Sequence, residues 1–185
     1  YPKNKQAPKI ETFSNDEKTT WDNKGIGYQT QRRLYPIDFK EAKEWLECFL
    51  IERFNEFGIY EDAIVSKEHF LNHSVLSPML NCGLLTPTYV ITRAIDFASK
   101  NDIPLASLEG FIRQIIGWRE FINGLYKHKG SFSRNKNFWK HECNMPESCY
   151  NATTGIPPID DAIEKLLRTG YNHHIERLMI LGNFF

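Results

Sequence analysis

Several things are scarce in this chain, and each scarcity excludes something. No apolar run approaches the ~20 residues that a membrane-spanning helix needs, so a helical membrane span is excluded. Four cysteines in 185 residues are too sparse for a disulfide scaffold. The first residues, Tyr1-Pro2-Lys3-Asn4-Lys5, are polar and lack the apolar stretch of a signal peptide, so a reducing, cytoplasmic compartment is the expectation. There is no excess charge of either sign, with 23 Lys+Arg against 23 Asp+Glu. Net charge therefore says nothing about nucleic acid, although a local basic patch could exist within a neutral total. Strand-length alternation and internal repeats are also missing.

What is present is aromatic. Thirteen Phe, eight Tyr and four Trp make up 14% of the chain, and such side chains bury enough area for a sizeable core. Residues 1–35 are polar and aperiodic and read as an extended connector. Residues 36–185 read as helical. Phe39, Ala42, Trp45, Leu46, Phe49, Phe54 and Phe57 recur near the helical period, with Asp38 as N-cap and Gly58 as the stop. Ser66 is a candidate cap for a second helix through Phe70 and Leu71, ending near Ser77-Pro78. Thr86-Pro87 opens a third, stopping near Asn101. A fourth, from about Ser107 to Tyr126, is apolar on so much of its surface that burial on most sides is expected. Its Gly117 and Gly124 would let a backbone or ligand come close. Residues 127–157 read as irregular. A fifth helix follows Pro157-Pro158 and ends at Gly170, and a sixth begins after it. The chain starts without Met and stops inside an apolar run, which reads as a piece of a longer protein.

Four constellations carry chemistry. Lys127, His128, Lys129, Arg134, Lys136 and Lys140 lie among Phe132, Phe138 and Trp139, the composition of a phosphate-and-stacking surface, or of a solvated loop. His141, Cys143 and Cys149 offer three zinc-type ligands where a structural site needs four, and the gap between the cysteines is too long. No metal is expected. His73-Ser74-Val75-Leu76-Ser77-Pro78 sets two hydroxyls three apart, suited to a phosphate or to two turn serines. Tyr171 to Met179 is the most informative segment. His173 and Arg177 lie four apart, and His174 and Arg177 three apart. Imidazoles beside a fixed cation suit proton transfer, while satisfied core histidines fit the spacing equally.

Taken in order, four motifs resemble the photolyase/cryptochrome family, specifically its branch of deoxyribodipyrimidine photolyase-related proteins, which includes bacterial six-four photolyases. They are Gly58-Ile59-Tyr60-Glu61-Asp62-Ala63, Ser74 through Leu84, Phe111 through Phe121, and Gly170-Tyr171 through Asn183-Phe184. The resemblance implies an all-α, multihelical FAD-binding domain, truncated at its C-terminal end. In a full-length protein an α/β domain, with a possible antenna pigment, would precede it. Ser74, Leu76 and Ser77 match the family's phosphate-binding turn for FAD, with Tyr60 beside them. His73 stands where many relatives have Thr. Gln114, Trp118 and Arg119 match the helix lining the flavin and lesion pocket, and Arg177 matches an Arg near the flavin ring. His173 and His174 match the branch's paired histidines, whose implied role is proton donation to a six-four lesion. Pro158 stands where iron–sulfur relatives carry a cluster cysteine, so no such cluster is expected. The implied activity is light-driven, FAD-dependent repair of UV-damaged DNA by electron transfer, with the isolated piece inactive. A light-sensing cryptochrome without repair and a non-catalytic helical interaction domain are the competing readings.

Overall fold

A computed structural model of the chain describes residues 34–185, so the connector reading falls almost wholly outside the described residues. These form an all-α assembly: α1 Phe39–Glu52, α2 Phe54–Tyr60, α3 Ser77–Asn81, α4 Pro87–Lys100, α5 Leu105–Asn135, α6 Ser148–Asn151 and α7 Pro157–Thr169. A π-helical stretch, Glu176–Leu181, and a last short helix, α8 Gly182–Phe184, close it. No strand occurs among the described residues.

The start signals act as the residues dictate. Asp38 accepts the Glu41 N–H at 2.8 Å, and Thr86 accepts the Tyr89 N–H at 3.2 Å ahead of Pro87, each satisfying an otherwise orphaned donor. Gly170 ends α7 in the left-handed region at φ 66°, as a C-terminal glycine does. The principal core joins α1, α2, α4 and the first part of α5. Its centre is four phenylalanine rings, with Phe111 only 5.0, 5.4 and 5.7 Å from Phe49, Phe54 and Phe57. Tilted and edge-on rings at such distances add to what area burial alone contributes. A smaller core gathers Ile159, Ile163 and Leu167 of α7 against Cys149, Ile180 and Leu181.

The structure corrects five expectations. Gly58 does not stop the first helix. The break falls at Arg53 (φ −128°), and Gly58 sits inside α2, where a Cβ would lie 2.7 Å from the backbone of Ala106 and Ser107. Its missing side chain lets α2 press on α5. The fully buried Ser107 hydroxyl fastens the contact, accepting the Gly58 N–H and donating to the Asn55 carbonyl, each at 2.9 Å. No helix follows Ser66. Residues 61–76 form turns, with Lys67, Leu71 and Val75 at positive φ. The fourth predicted helix runs nine residues beyond Tyr126, to Asn135, so the irregular stretch starts late. It is not buried on most sides, since its buried residues end at Ile115 while Trp118, Phe121 and Ile122 are exposed. Finally, no backbone approaches Gly117 or Gly124. The close approach is made at Gly58.

Candidate cofactor and proton-transfer site

Three segments far apart in sequence wall one cavity of about 630 Å³, within the usual size range for a small-molecule or cofactor site. They are the turn His73–Ser77 entering α3, one face of α5 from Phe111 to Ile122, and the stretch from Tyr171 to Leu178.

The turn is strained and heavily anchored. Leu71 and Val75 adopt φ 45° and 53°. A β-branched residue there is a genuine outlier, costing on the order of 1–3 kcal/mol unless surrounding contacts fix it. Those contacts exist. The Trp45 indole N–H donates to the Ser74 carbonyl at 2.8 Å, the buried Arg53 guanidinium donates to the His73 carbonyl at 3.3 Å, and Asn72 Nδ2 donates to the Glu56 carbonyl at 3.3 Å. With both carbonyls held from behind by α1 and its C-cap, Ser74 and Ser77 are left on the cavity wall.

On α5, Gln114 is a relay. Its amide donates to Glu61 Oε1 and its carbonyl accepts the Trp118 indole N–H at 3.1 Å. This fixes the amide's orientation and steadies the indole at the rim. Arg119 Nη1 donates to the Ile115 carbonyl at 3.0 Å, which spends one of its five donors and leaves a cation on the wall.

The third wall hangs on a buried ion pair. Lys165 and Glu176 are 1% and 0% exposed and meet at 2.6 Å. The Lys165 ammonium also reaches Asp161 Oδ2 and the Val65 carbonyl, both at 2.9 Å, so its three donors have three acceptors. Asn172 Nδ2 donates to the other Glu176 oxygen and to the Ala162 carbonyl, each at 3.0 Å. A buried pair survives only when its spare hydrogen-bonding sites are filled in this way. The network locks the segment bearing the histidines against α7.

The paired histidines part company here. His174 lines the cavity, partly exposed, with Nε2 3.5 Å from Asp62 Oδ1. His173 is buried behind it. Its Nδ1 accepts the Glu176 N–H at 3.4 Å, and its ring stacks on His73 with centroids 4.6 Å apart and planes 12° apart. His73 in turn stands edge-on to His174 at 5.6 Å. Burial lowers the His173 pKa to about 4. Burial, then the neighbouring His173 and His174, holds His73 well below the usual imidazole range. Both rings are therefore neutral at pH 7, and His174 is the one of the three imidazoles that stays partly exposed on the cavity.

Of the ten residues singled out from sequence, Ser74, Leu76, Ser77, Gln114, Trp118, Arg119, His174 and Arg177 share this one wall. Tyr60, at the end of α2, and His173 do not reach it. Sequence reasoning missed Phe111 and Tyr171 as lining, and treated His73 only as a difference from relatives although it lies on the wall with Nε2 buried and unpartnered. Its place directly before Ser74 was the signal available. His141 and Cys143 are exposed, Cys149 packs in the smaller core, and no cluster of three metal-ligating side chains forms among the described residues.

The wall suits a large, partly anionic ligand. Two hydroxyls, two guanidinium groups and a buried imidazole without a protein partner face an interior otherwise made of Phe57, Phe111, Ile115, Leu80 and Ile122. An orphaned buried nitrogen costs about 1–3 kcal/mol, which a ligand bonding to it could offset.

The chain is 35% identical to a (6-4) photolyase of Agrobacterium fabrum over 84% of its own length and 33% of that protein. It is 29% identical to a deoxyribodipyrimidine photo-lyase of Buchnera aphidicola over 87% of its length and 34% of that protein. It is also 40% identical to the uncharacterized protein R853 of Acanthamoeba polyphaga mimivirus, over 60% of its length and 86% of that protein. It thus spans about a third of the photolyases it matches. No family model matches it.

Proposed function

Because the chain belongs to the photolyase family, as a stretch of its helical domain, we propose that it forms the cofactor-binding part of a FAD-dependent, light-driven enzyme that repairs dipyrimidine photoproducts of the six-four type. The observation that carries this reading is the convergence of Ser74, Ser77, Arg119, Arg177 and His174 on one cavity.

The residues fit the cofactor. Ser74 and Ser77, with hydroxyl donors, would hold its phosphates, and Arg119 and Arg177 would offset their charge. Phe111, Ile115 and Trp118 would pack its flat, apolar parts. Bound flavin would supply the light-driven one-electron chemistry that no side chain here can perform. The chain's own part is to bind, orient and move a proton. A lesion base taken out of the duplex would enter the same cavity, at a cost of a few kcal/mol that a damaged, weakly paired base lowers. His174 would present a proton to it, with Asp62 Oδ1 3.5 Å from its Nε2 and the edge of His73 beside its ring. His173 acts as the fixed plate behind His73.

Repair of a six-four-containing oligonucleotide under blue light by the intact protein tests the reading. His174→Ala is expected to abolish repair with flavin still bound, while Ser74→Ala/Ser77→Ala is expected to lower flavin occupancy itself. Repair retained in the first variant removes His174 from the proposed role, and unchanged occupancy in the second means that the phosphates bind elsewhere. A wild type that binds flavin but repairs nothing favours the light-sensing alternative.

A further inference from the structure

The cavity does not use the far end of α5, and that end has properties of its own. Between Lys127 and Glu142 the chain carries five fixed cations against one carboxylate, within a total that balances at 23 and 23. Elsewhere among the described residues several cations are tied to carboxylates. Arg93 pairs with Glu47 and Asp96, Lys100 with Asp96, and Arg168 with Glu164. Among those same residues Lys127, Lys129, Arg134, Lys136 and Lys140 have no carboxylate within 4 Å. Instead three of them lie over rings: Lys129 and Lys136 over Phe132 at 5.7 and 6.0 Å, and Arg134 over Tyr126 at 5.4 Å. Phe132, Phe138 and Trp139 are themselves 48%, 67% and 76% exposed.

The placement is directional. Trp118 and Ile122 face the cavity, and Leu125, Lys129, Phe132 and Lys136 follow them at alternating steps of three and four, which keeps one helix face. At 1.5 Å per residue, Lys129 and Lys136 lie about 10 and 21 Å beyond Ile122 along the axis. One strand of a duplex carries a phosphate about every 3.4 Å of rise, so this arm spans roughly three to six phosphates beyond the cavity mouth.

We propose that the outer third of α5 and the loop to Lys140 form a DNA-backbone clamp, separate from the cavity, that holds the strand flanking the lesion by its phosphates and without regard to sequence. The proposal rests on the reading of the cavity as a lesion site. Unpaired cations neutralise phosphates and release counterions, and rings held beneath them offer faces for splayed bases. A nucleic acid is favoured over an acidic protein because exposed Phe132, Phe138 and Trp139 lie among the cations and offer faces to bases, which a run of carboxylates would not use.

The experiment measures the affinity of the intact, flavin-containing protein for a six-four-damaged duplex and its undamaged counterpart from 50 to 200 mM salt, for wild type and for K129A/K136A. Two lost phosphate contacts, at about 0.9 each, are expected to flatten the slope of log K against log salt by roughly 1.8, equally for both duplexes. Preference for the lesion and flavin absorbance stay unchanged. An unchanged slope overturns the clamp. So does a fall in flavin content or melting temperature, which would mean that the protein's own chain covers this face, and so does binding of poly-glutamate without binding of duplex. A wild type with no preference for damaged duplex sinks the cavity reading instead, and the slope comparison then still reports on the clamp.

Discussion

Acidification should weaken this fold well before its carboxylates titrate, and His173 sets the size of the effect. Its native pKa is lowered to about 4, while an unfolded histidine titrates near 6.5. Below pH 6.5 the unfolded chain takes up a proton that the native site refuses, so folding stability falls as pH falls. The loss begins near 6.5 and levels off below about 4, where both states are protonated. Each unit in that window is worth 1.36 kcal/mol. Going from pH 7.5 to 5 should therefore cost about 2 kcal/mol through His173 alone, and about 3 kcal/mol once the window is crossed. Burial shifts His73 and His69 in the same direction, so the observed loss should be no smaller. Asp96 and Asp160 are held below the ordinary carboxylate range by their hydrogen bonds, so their effect falls at lower pH and does not mask the first. Urea unfolding at half-unit steps from pH 7.5 to 4.5 reads the curve. His173→Phe keeps a flat ring against His73 but cannot titrate. Its stability at pH 7.5 should drop, because the Glu176 N–H loses its acceptor, yet its pH dependence should shrink by about 2 kcal/mol. Parallel curves for wild type and variant would refute the claim that His173 is buried neutral.

Two packing predictions accompany it. Gly58→Ala drives a methyl to 2.7 Å from the Ala106–Ser107 backbone and should destabilise by about 2–3 kcal/mol. Gly117→Ala, whose nearest neighbour is Arg113 Cγ at 3.9 Å, should stabilise by up to about 1 kcal/mol. Melting temperatures that move together in both would sink the close-approach argument. Lys165→Met strands the buried Glu176 carboxylate and should cost about 3–5 kcal/mol. Adding Glu176→Gln should restore part of that, and a double variant no better than the single would show that the charge pair is not what locks the segment.

The all-α class, the caps at Asp38 and Thr86 and the stop at Gly170 were legible because they follow from local rules: periodic apolar residues, a side-chain oxygen before a first turn, a glycine free to adopt positive φ. The serine turn and the His–Arg segment were legible by residue type and order, which is how they came to be singled out together. Length and exposure of α5 were not legible, because an apolar face reads the same whether or not a neighbour covers it. Gly58 misled for a related reason. As a local signal it marks an end, and only the partner helix across the contact gives its missing Cβ another use.

The division of labour between the two histidines lay furthest from the sequence. Adjacent letters give His173 and His174 the same standing, and nothing in the spacing says which ring is buried. That was decided by Glu176, whose backbone N–H donates to the His173 ring, and by Lys165, eleven residues earlier, whose ammonium meets the buried Glu176 carboxylate. Sequence determined which chemistry the chain can bring to a cavity. Tertiary packing decided which imidazole stays exposed on the cavity and which is buried behind it, because an imidazole's surroundings come from other parts of the chain.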